Sequence, residues 1–151
     1  MSKTILVTGA TDGIGRVTAE LLAEKGHTLL LHGRSEAKVN NVVETIGDAH
    51  GNEVHAYIAD LSDLTAVDAM ASAILAAHDK VDVVINNAGV YVTSEPRTSS
   101  GLDVRFVVNT IAPYLLTRRL LANIPDDGRI VNLSSAAQAP VDVTALTGPT
   151  Q

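Results

Sequence analysis

The chain has 151 residues, 46% of them hydrophobic, with no cysteine and a net charge of −6. That length suits one domain over residues 1–151, no apolar segment is long enough for a membrane span, and Met1 leads into a strand without a signal-peptide core, so a cytoplasmic protein with no membrane contact is expected. The acidic balance argues against a nucleic-acid partner, the missing cysteine excludes disulfide and thiol chemistry, and the five histidines (His27, His32, His50, His55, His78) lack metal-ligand spacing.

Thr4–Val7 is the first predicted strand, and it runs into Thr8-Gly9-Ala10-Thr11-Asp12-Gly13-Ile14-Gly15. Glycine lets a backbone approach a ligand, and the helix behind it offers unpaired N–H groups and partial positive charge to an anion. Strand, glycine turn and helix start in that order make a socket for a dinucleotide pyrophosphate. The spacing is Gly-x-x-x-Gly-x-Gly rather than the commoner Gly-x-Gly-x-x-Gly. The first helix has Ile14, Val17, Leu21 and Leu22 as its apolar stripe and a stop at Gly26.

Thr28–Leu31 is the second strand, ending at His32-Gly33-Arg34. Ser35 caps a helix with Val39, Val42, Val43 and Ile46 on one face. Val54–Ala59 is the third strand and ends at Asp60-Leu61. Ser62 and Asp63 open a helix carrying Leu64, Val67, Ala71, Ile74 and Leu75. Val81–Ile85 is the fourth strand, ending at Asn86-Asn87-Ala88-Gly89. A polar loop precedes a long helix from about Leu102 to Leu121, and Asp126-Asp127-Gly128 turns the chain into Arg129–Leu133, the fifth strand.

Continuous apolar strands alternating with helices imply a parallel sheet covered on both faces, and right-handed crossovers make it doubly wound. Ligands of such α/β sheets bind beyond the carboxyl ends of the strands. The polar and glycine clusters Thr8–Gly15, Gly33-Arg34, Asp60-Leu61, Asn86–Gly89 and Ser134-Ser135 all fall at those ends.

With these motifs in this order, the chain resembles the short-chain dehydrogenase/reductase family over nearly its whole length. Thr8-Gly9-x-x-x-Gly13-x-Gly15 looks like the cofactor loop, and Asp60-Leu61 like the adenine-contact pair. Asn86-Asn87-Ala88-Gly89 is similar to the fourth-strand motif, and Ile130-Val131-Asn132-Leu133-Ser134-Ser135 to the fifth strand with its catalytic serine. The run Thr98-Ser99-Ser100-Gly101-Leu102-Asp103 is similar to that of the retinol-dehydrogenase-like branch. The resemblance implies a Rossmann-type sheet of order 3-2-1-4-5, truncated before its C-terminal strands. It also implies an oxidoreductase acting on a small carbonyl or alcohol substrate. Thr8, Gly9, Thr11, Asp12, Gly13, Ile14, Gly15, Arg34, Ser35, Asp60, Leu61, Asn87, Ala88 and Gly89 would hold the cofactor. Ser135 would orient the substrate, and Asn109 would support a proton relay through a water.

The residue after the second strand separates NAD from NADP. An acid there accepts bonds from the adenosine ribose and repels a 2′-phosphate. This chain has Arg34 and Ser35, with no acid from Leu29 through Ser35. A guanidinium pairs with phosphate and stacks on adenine, which favours NADP(H) over NAD(H). The plain alternative is an exposed arginine at a helix start. Asp12 is more simply read as turn chemistry.

Pro113 lies four residues after Asn109 and has no N–H for the Asn109 carbonyl, so the helix should bend there and leave that carbonyl open to a water. Packing alone explains the proline equally well. The same helix is apolar on more than one side, through Val104, Phe106, Val107, Val108, Ile111, Tyr114, Leu115 and Leu120. The surplus suits a homodimer through this helix, as in the family, or burial against further chain.

The family's general acid is a tyrosine followed by a lysine, as Tyr-x-x-x-Lys. Nothing from Ala136 to Gln151 is tyrosine or lysine, and the last lysine is Lys80. Tyr114 and Arg118 mimic the pair but lie before the fifth strand. The expectation is therefore a fragment that holds cofactor without turnover by itself, and an apolar edge at the fifth strand. The competing class is a non-catalytic NADP(H)-binding or sensing module. A sugar-nucleotide epimerase relative would more usually show Gly-x-x-Gly-x-x-Gly.

Overall fold

A computed structural model of the chain describes residues 1–135. The segment 136–151, where Tyr-x-x-x-Lys is sought and not found, lies outside them. The elements are β1 (Thr4–Thr8), α1 (Gly13–Glu24), β2 (Thr28–Gly33), α2 (Glu36–His50), β3 (Val54–Ile58), α3 (Leu64–Ala77), β4 (Val83–Asn86), α4 (Val104–Phe106), α5 (Ala112–Leu120) and β5 (Arg129–Asn132). The strands form one sheet in the order β3-β2-β1-β4-β5. Every pairing is parallel, with Leu6 opposite both Leu30 and Val84, and Val84 opposite Ile130. This is the doubly wound α/β fold expected from the sequence.

Alternation along the strands feeds two cores. Leu6, Leu30 and Val84 point to the face covered by Val67, Met70, Ala71 and Ile74 of α3 and by Ala112, Leu116 and Leu120 of α5. Ile5, Val7, Leu29 and Leu31 point to the other face, against Ala19 and Ala23 of α1 and Val42 and Ile46 of α2. The predicted stripes of α2 and α3 lie inward.

Of the predicted stripe of α1, only Leu22 packs against the core. Ile14, Val17 and Leu21 are 69%, 54% and 52% exposed, and the helix buries Gly15, Ala19 and Ala23 instead. Close approach decides the face. A Cβ on Gly15 would collide with the Gly9 carbonyl oxygen and with Asn87 Nδ2, so only the small-residue side of α1 seats on the turn. Ile14, Val17 and Leu21 face outward as a consequence.

The long helix also departs from expectation. A π turn, Val107–Ile111, separates α4 from α5, and a 3₁₀ turn, Leu121–Asn123, ends the run. The Ala112 N–H reaches back to the Val107 carbonyl across the π turn. Pro113 follows immediately and has no N–H to continue the ordinary ladder, one of the recognised settings for such irregularity. β5 is exposed at all four residues, and Ile130, Val131 and Leu133 show large apolar surface.

Asp103 starts α4 from a site that is 2% exposed. Its Oδ1 accepts the Arg105 N–H at 2.8 Å, and its Oδ2 accepts from Arg105 Nη2 at 2.7 Å. The Arg105 guanidinium holds the Asp103 carboxyl down from 3.8 to about 2. Its contribution to stability is therefore complete above the ordinary carboxylate value and is lost as pH falls from about 4 towards about 2. Thermal unfolding of Asp103→Ala should show a loss of about 1–2 kcal/mol at neutral pH, and the gap to the unmodified chain should narrow across that acid window.

Candidate active site

The turn after β1 is held from both sides of the strand. On the β4 side, the Thr8 hydroxyl accepts the Asn87 N–H at 3.0 Å and the Ala88 N–H at 3.1 Å. It donates to the Ile85 carbonyl at 3.4 Å. In return, Asn87 Nδ2 donates to the Thr8 carbonyl at 2.8 Å and the Gly9 carbonyl at 3.2 Å. On the β2 side, the Ala10 N–H donates to the His32 carbonyl at 2.9 Å. The Gly9 N–H donates to His32 Nδ1 at 3.3 Å. Gly9 has φ +67°, and a Cβ there would lie 2.9 Å from the Ala88 Cα. Glycine is required on both counts.

At the far end of the turn, Asp12 caps α1, its Oδ1 accepting the Gly13 N–H at 2.7 Å. Ser35 caps α2 in the same manner through the Lys38 N–H, and Asp63 caps α3 through the Thr65 N–H. Asp60 Oδ1 accepts from the Ser62 N–H and the Ser62 hydroxyl at 2.9 and 2.8 Å, which fixes the turn after β3.

These turns enclose a cleft of about 950 Å³ at the carboxyl ends of β1 to β4. Gly9, Thr11, Asp12, Arg34, Asp60, Leu61, Asn87, Ala88 and Gly89 all line it, so four of the five predicted clusters converge. Thr8 and Gly15 stand behind the wall and hold its shape, while Gly13, Ile14 and Ser35 sit outside the lining. The far wall is the loop after β4, including Val90, Tyr91, Arg97 and Thr98.

The chemistry of this cleft suits a dinucleotide phosphate. A Cβ on Gly33 would meet Thr11 Cγ2 at 2.7 Å and Val39 Cγ2 at 2.8 Å, so glycine lets the end of β2 pack closely against Thr11 and α2 beside the cleft. Arg34 puts a cation at the rim, and no carboxylate among the described residues pairs with it.

Neither predicted catalytic residue lines this cleft, although Asn109 stands directly behind its far wall. Asn109 sits in the π turn, and its side chain makes a two-point pair with Val90: Oδ1 accepts the Val90 N–H and Nδ2 donates to the Val90 carbonyl, both at 2.8 Å. The side chain is thus committed to holding the loop after β4. Asn109 also lines a second groove of about 290 Å³, with Tyr114, Thr117, Ile130 and Asn132. Ser135 follows β5 on an exposed stretch. Tyr114 is exposed on α5 and Tyr91 is exposed on the cleft wall.

The sequence reading gave no site role to His32, which lines the cleft. His32 is 1% exposed and bridges the turn after β1 to the end of β3, where its Nε2 lies 3.0 Å from the Ala59 carbonyl. Its only sequence signal is a histidine between an apolar strand and the pair Gly33-Arg34.

Comparison with known proteins agrees with this geometry. The family model of the short chain dehydrogenase matches residues 3–145. Human retinol dehydrogenase 13 is 37% identical over 138 residues, covering 89% of this chain and 42% of the relative. A short-chain dehydrogenase/reductase of Phomopsis amygdali is 34% identical, covering 94% and 41%. The chain thus spans about two fifths of the length of these curated relatives. Among solved structures, a metagenomic short-chain oxidoreductase in complex with NADP superposes with a TM-score of 0.79 at 36% identity, covering 92% of this chain and 64% of that one. A short-chain dehydrogenase from Sphingobium yanoikuyae in complex with NADPH gives 0.72 at 30% identity, covering 89% and 54%. With the sheet order, the turn after β1 and a match over most of its residues in agreement, the chain belongs to the short-chain dehydrogenase family.

Proposed function

We propose that this chain holds NADP(H) in the cleft and forms the cofactor-binding part of an oxidoreductase that interconverts a small carbonyl compound and a secondary alcohol. The observation that carries the reading is the wall formed by Gly9, Thr11 and Gly33 beside the Arg34 cation. The NADP- and NADPH-bound relatives support the same choice of nucleotide.

In this reading the turn from Gly9 to Gly15 presents backbone N–H groups and the α1 N-terminus to the pyrophosphate. Arg34 binds the 2′-phosphate, Asp60 and Leu61 flank the adenine, and Asn87 to Gly89 border the nicotinamide side. Bound nicotinamide supplies or accepts the hydride. Ser135 orients the substrate oxygen. The Asn109 carbonyl, beside Pro113, holds the relay water, while its side chain fixes Val90. Residues 136–151 contain no Tyr-x-x-x-Lys, so the 151 residues by themselves are expected to bind without turnover. A second reading is an NADP(H)-binding module without catalysis; hydride transfer to a carbonyl substrate by the whole gene product separates the two. Exposed Tyr114 and Leu121 support a homodimer through the 102–121 stretch.

Hydrogen exchange read by mass spectrometry tests the placement. NADPH should slow exchange over residues 9–15 and 87–90. Unchanged exchange there at saturating nucleotide would contradict it.

A further inference from the structure

His32 is a buried titratable group to which none of the preceding chemistry assigns a task. Gly9 offers only an N–H and Ala59 only a carbonyl oxygen, so the two contacts leave a single arrangement of the ring: Nδ1 bare and accepting, Nε2 protonated and donating. These bonds span 23 and 27 residues, and they join the end of β2 to the turns after β1 and β3. We propose that His32 is a positioning residue for the phosphate-binding turn, and that the turn keeps its cofactor-holding shape only while the His32 ring is the uncharged Nε2–H tautomer.

The inference rests on the nucleotide-binding reading above. Protonation of Nδ1 would set two donors, the ring N–H and the Gly9 N–H, against each other. The charged groups acting on the ring are Asp60, beyond the end of β3, and Arg34, beyond the end of β2. The glycine turn contributes Asp12, whose carboxylate is occupied by the Gly13 N–H. Burial is the largest influence and lowers the His32 value below 6.5, aided by Arg34 and opposed by the Ala59 carbonyl and by Asp60. The ring is therefore uncharged at neutral pH. The unfolded chain takes up the proton first as pH falls below 6.5, so the stability and the turn geometry that depend on the neutral ring are lost on the acid side.

Oxidised NADP is the probe, because its 2′-phosphate titrates equally in every variant and cancels in the comparison. Calorimetric affinity of the full chain should be measured between about pH 7.5 and about pH 5, the range in which histidine changes charge. His32→Asn keeps an acceptor for the Gly9 N–H and cannot titrate. Once the His32 ring is charged, affinity of the unmodified chain should have fallen about tenfold further than that of His32→Asn, and His32→Leu should bind weakly throughout. Nitrogen NMR of the His32 ring should show the Nε2–H tautomer at neutral pH. Parallel affinity profiles, or an Nδ1–H ring, would overturn the proposal. If His32→Asn fails to fold, the unmodified chain decides: the Gly9 amide should lose exchange protection as the ring titrates, and constant protection overturns the proposal. A full chain that binds no NADP at any pH while the Gly9 amide still follows the ring overturns the nucleotide reading, and with it the cofactor role given to His32.

Discussion

Gly15→Ala is expected to be the most damaging single methyl addition in the chain. The new Cβ would strike the Gly9 carbonyl oxygen and Asn87 Nδ2, two atoms that already bond to each other. Neither is the loose end of a flexible side chain. Asn87 is also tied to the Thr8 carbonyl, and Gly9 is tied to His32. Relief therefore requires α1 to lift away from the turn, which would uncover Ala19 and Ala23 on the same face. Overpacking of this kind costs about 1–3 kcal/mol, and a lifted α1 adds lost apolar burial. A fall in Tm of roughly 5–10 °C by calorimetry, with nucleotide affinity reduced at least about tenfold, is the expected result. Gly47, whose added Cβ would meet nothing within 4 Å, provides the control: Gly47→Ala should fold normally and gain slightly from helix propensity.

The second large effect concerns nucleotide choice. Arg34→Ala should weaken NADPH binding about tenfold or more while leaving NADH nearly unchanged. Bonds between charged partners contribute about 1.5–3 kcal/mol, and the exposed rim position puts Arg34 at the lower end of that range through solvent screening. Arg34→Lys should recover only part of the loss, because an ammonium lacks the paired donors and the flat face that meets adenine. Equal losses for both nucleotides would place Arg34 on a part of the ligand common to both and remove it as the discriminating residue.

The sequence was legible where local chemistry and tertiary position agree. Runs such as Leu29 to Leu31 are apolar enough to mark buried parallel strands, and each ends in turn residues that the sheet gathers at one edge. The site could be read because its lining comes from backbone turns and caps, whose residue types advertise themselves. The inward face of α1 was hidden for a physical reason: hydrophobicity selects Ile14, Val17 and Leu21, but proximity of the turn selects Gly15, Ala19 and Ala23. His32 was hidden because its partners are remote in sequence and no periodicity encodes a hydrogen bond between strand ends. The π turn was half visible. Pro113 announced a break, but only the packed helix shows that the break adds a residue per turn and that the Asn109 side chain is spent on Val90. The start of β4 at Val83 rather than Val81 has a similar origin: Asp82 turns its carboxylate to the Thr4 N–H at 2.7 Å and to Lys80 at 2.9 Å, anchoring β1 instead of extending β4.

The central claim, that the cleft at the carboxyl ends of β1 to β4 is built for NADP(H), is tested most directly by calorimetric titration of the full chain with NADPH and with NADH under the same conditions. The account predicts binding of both, with NADPH tighter by about tenfold or more through the charged contact at Arg34. Binding of neither nucleotide, or NADH at least as tight as NADPH, would contradict it.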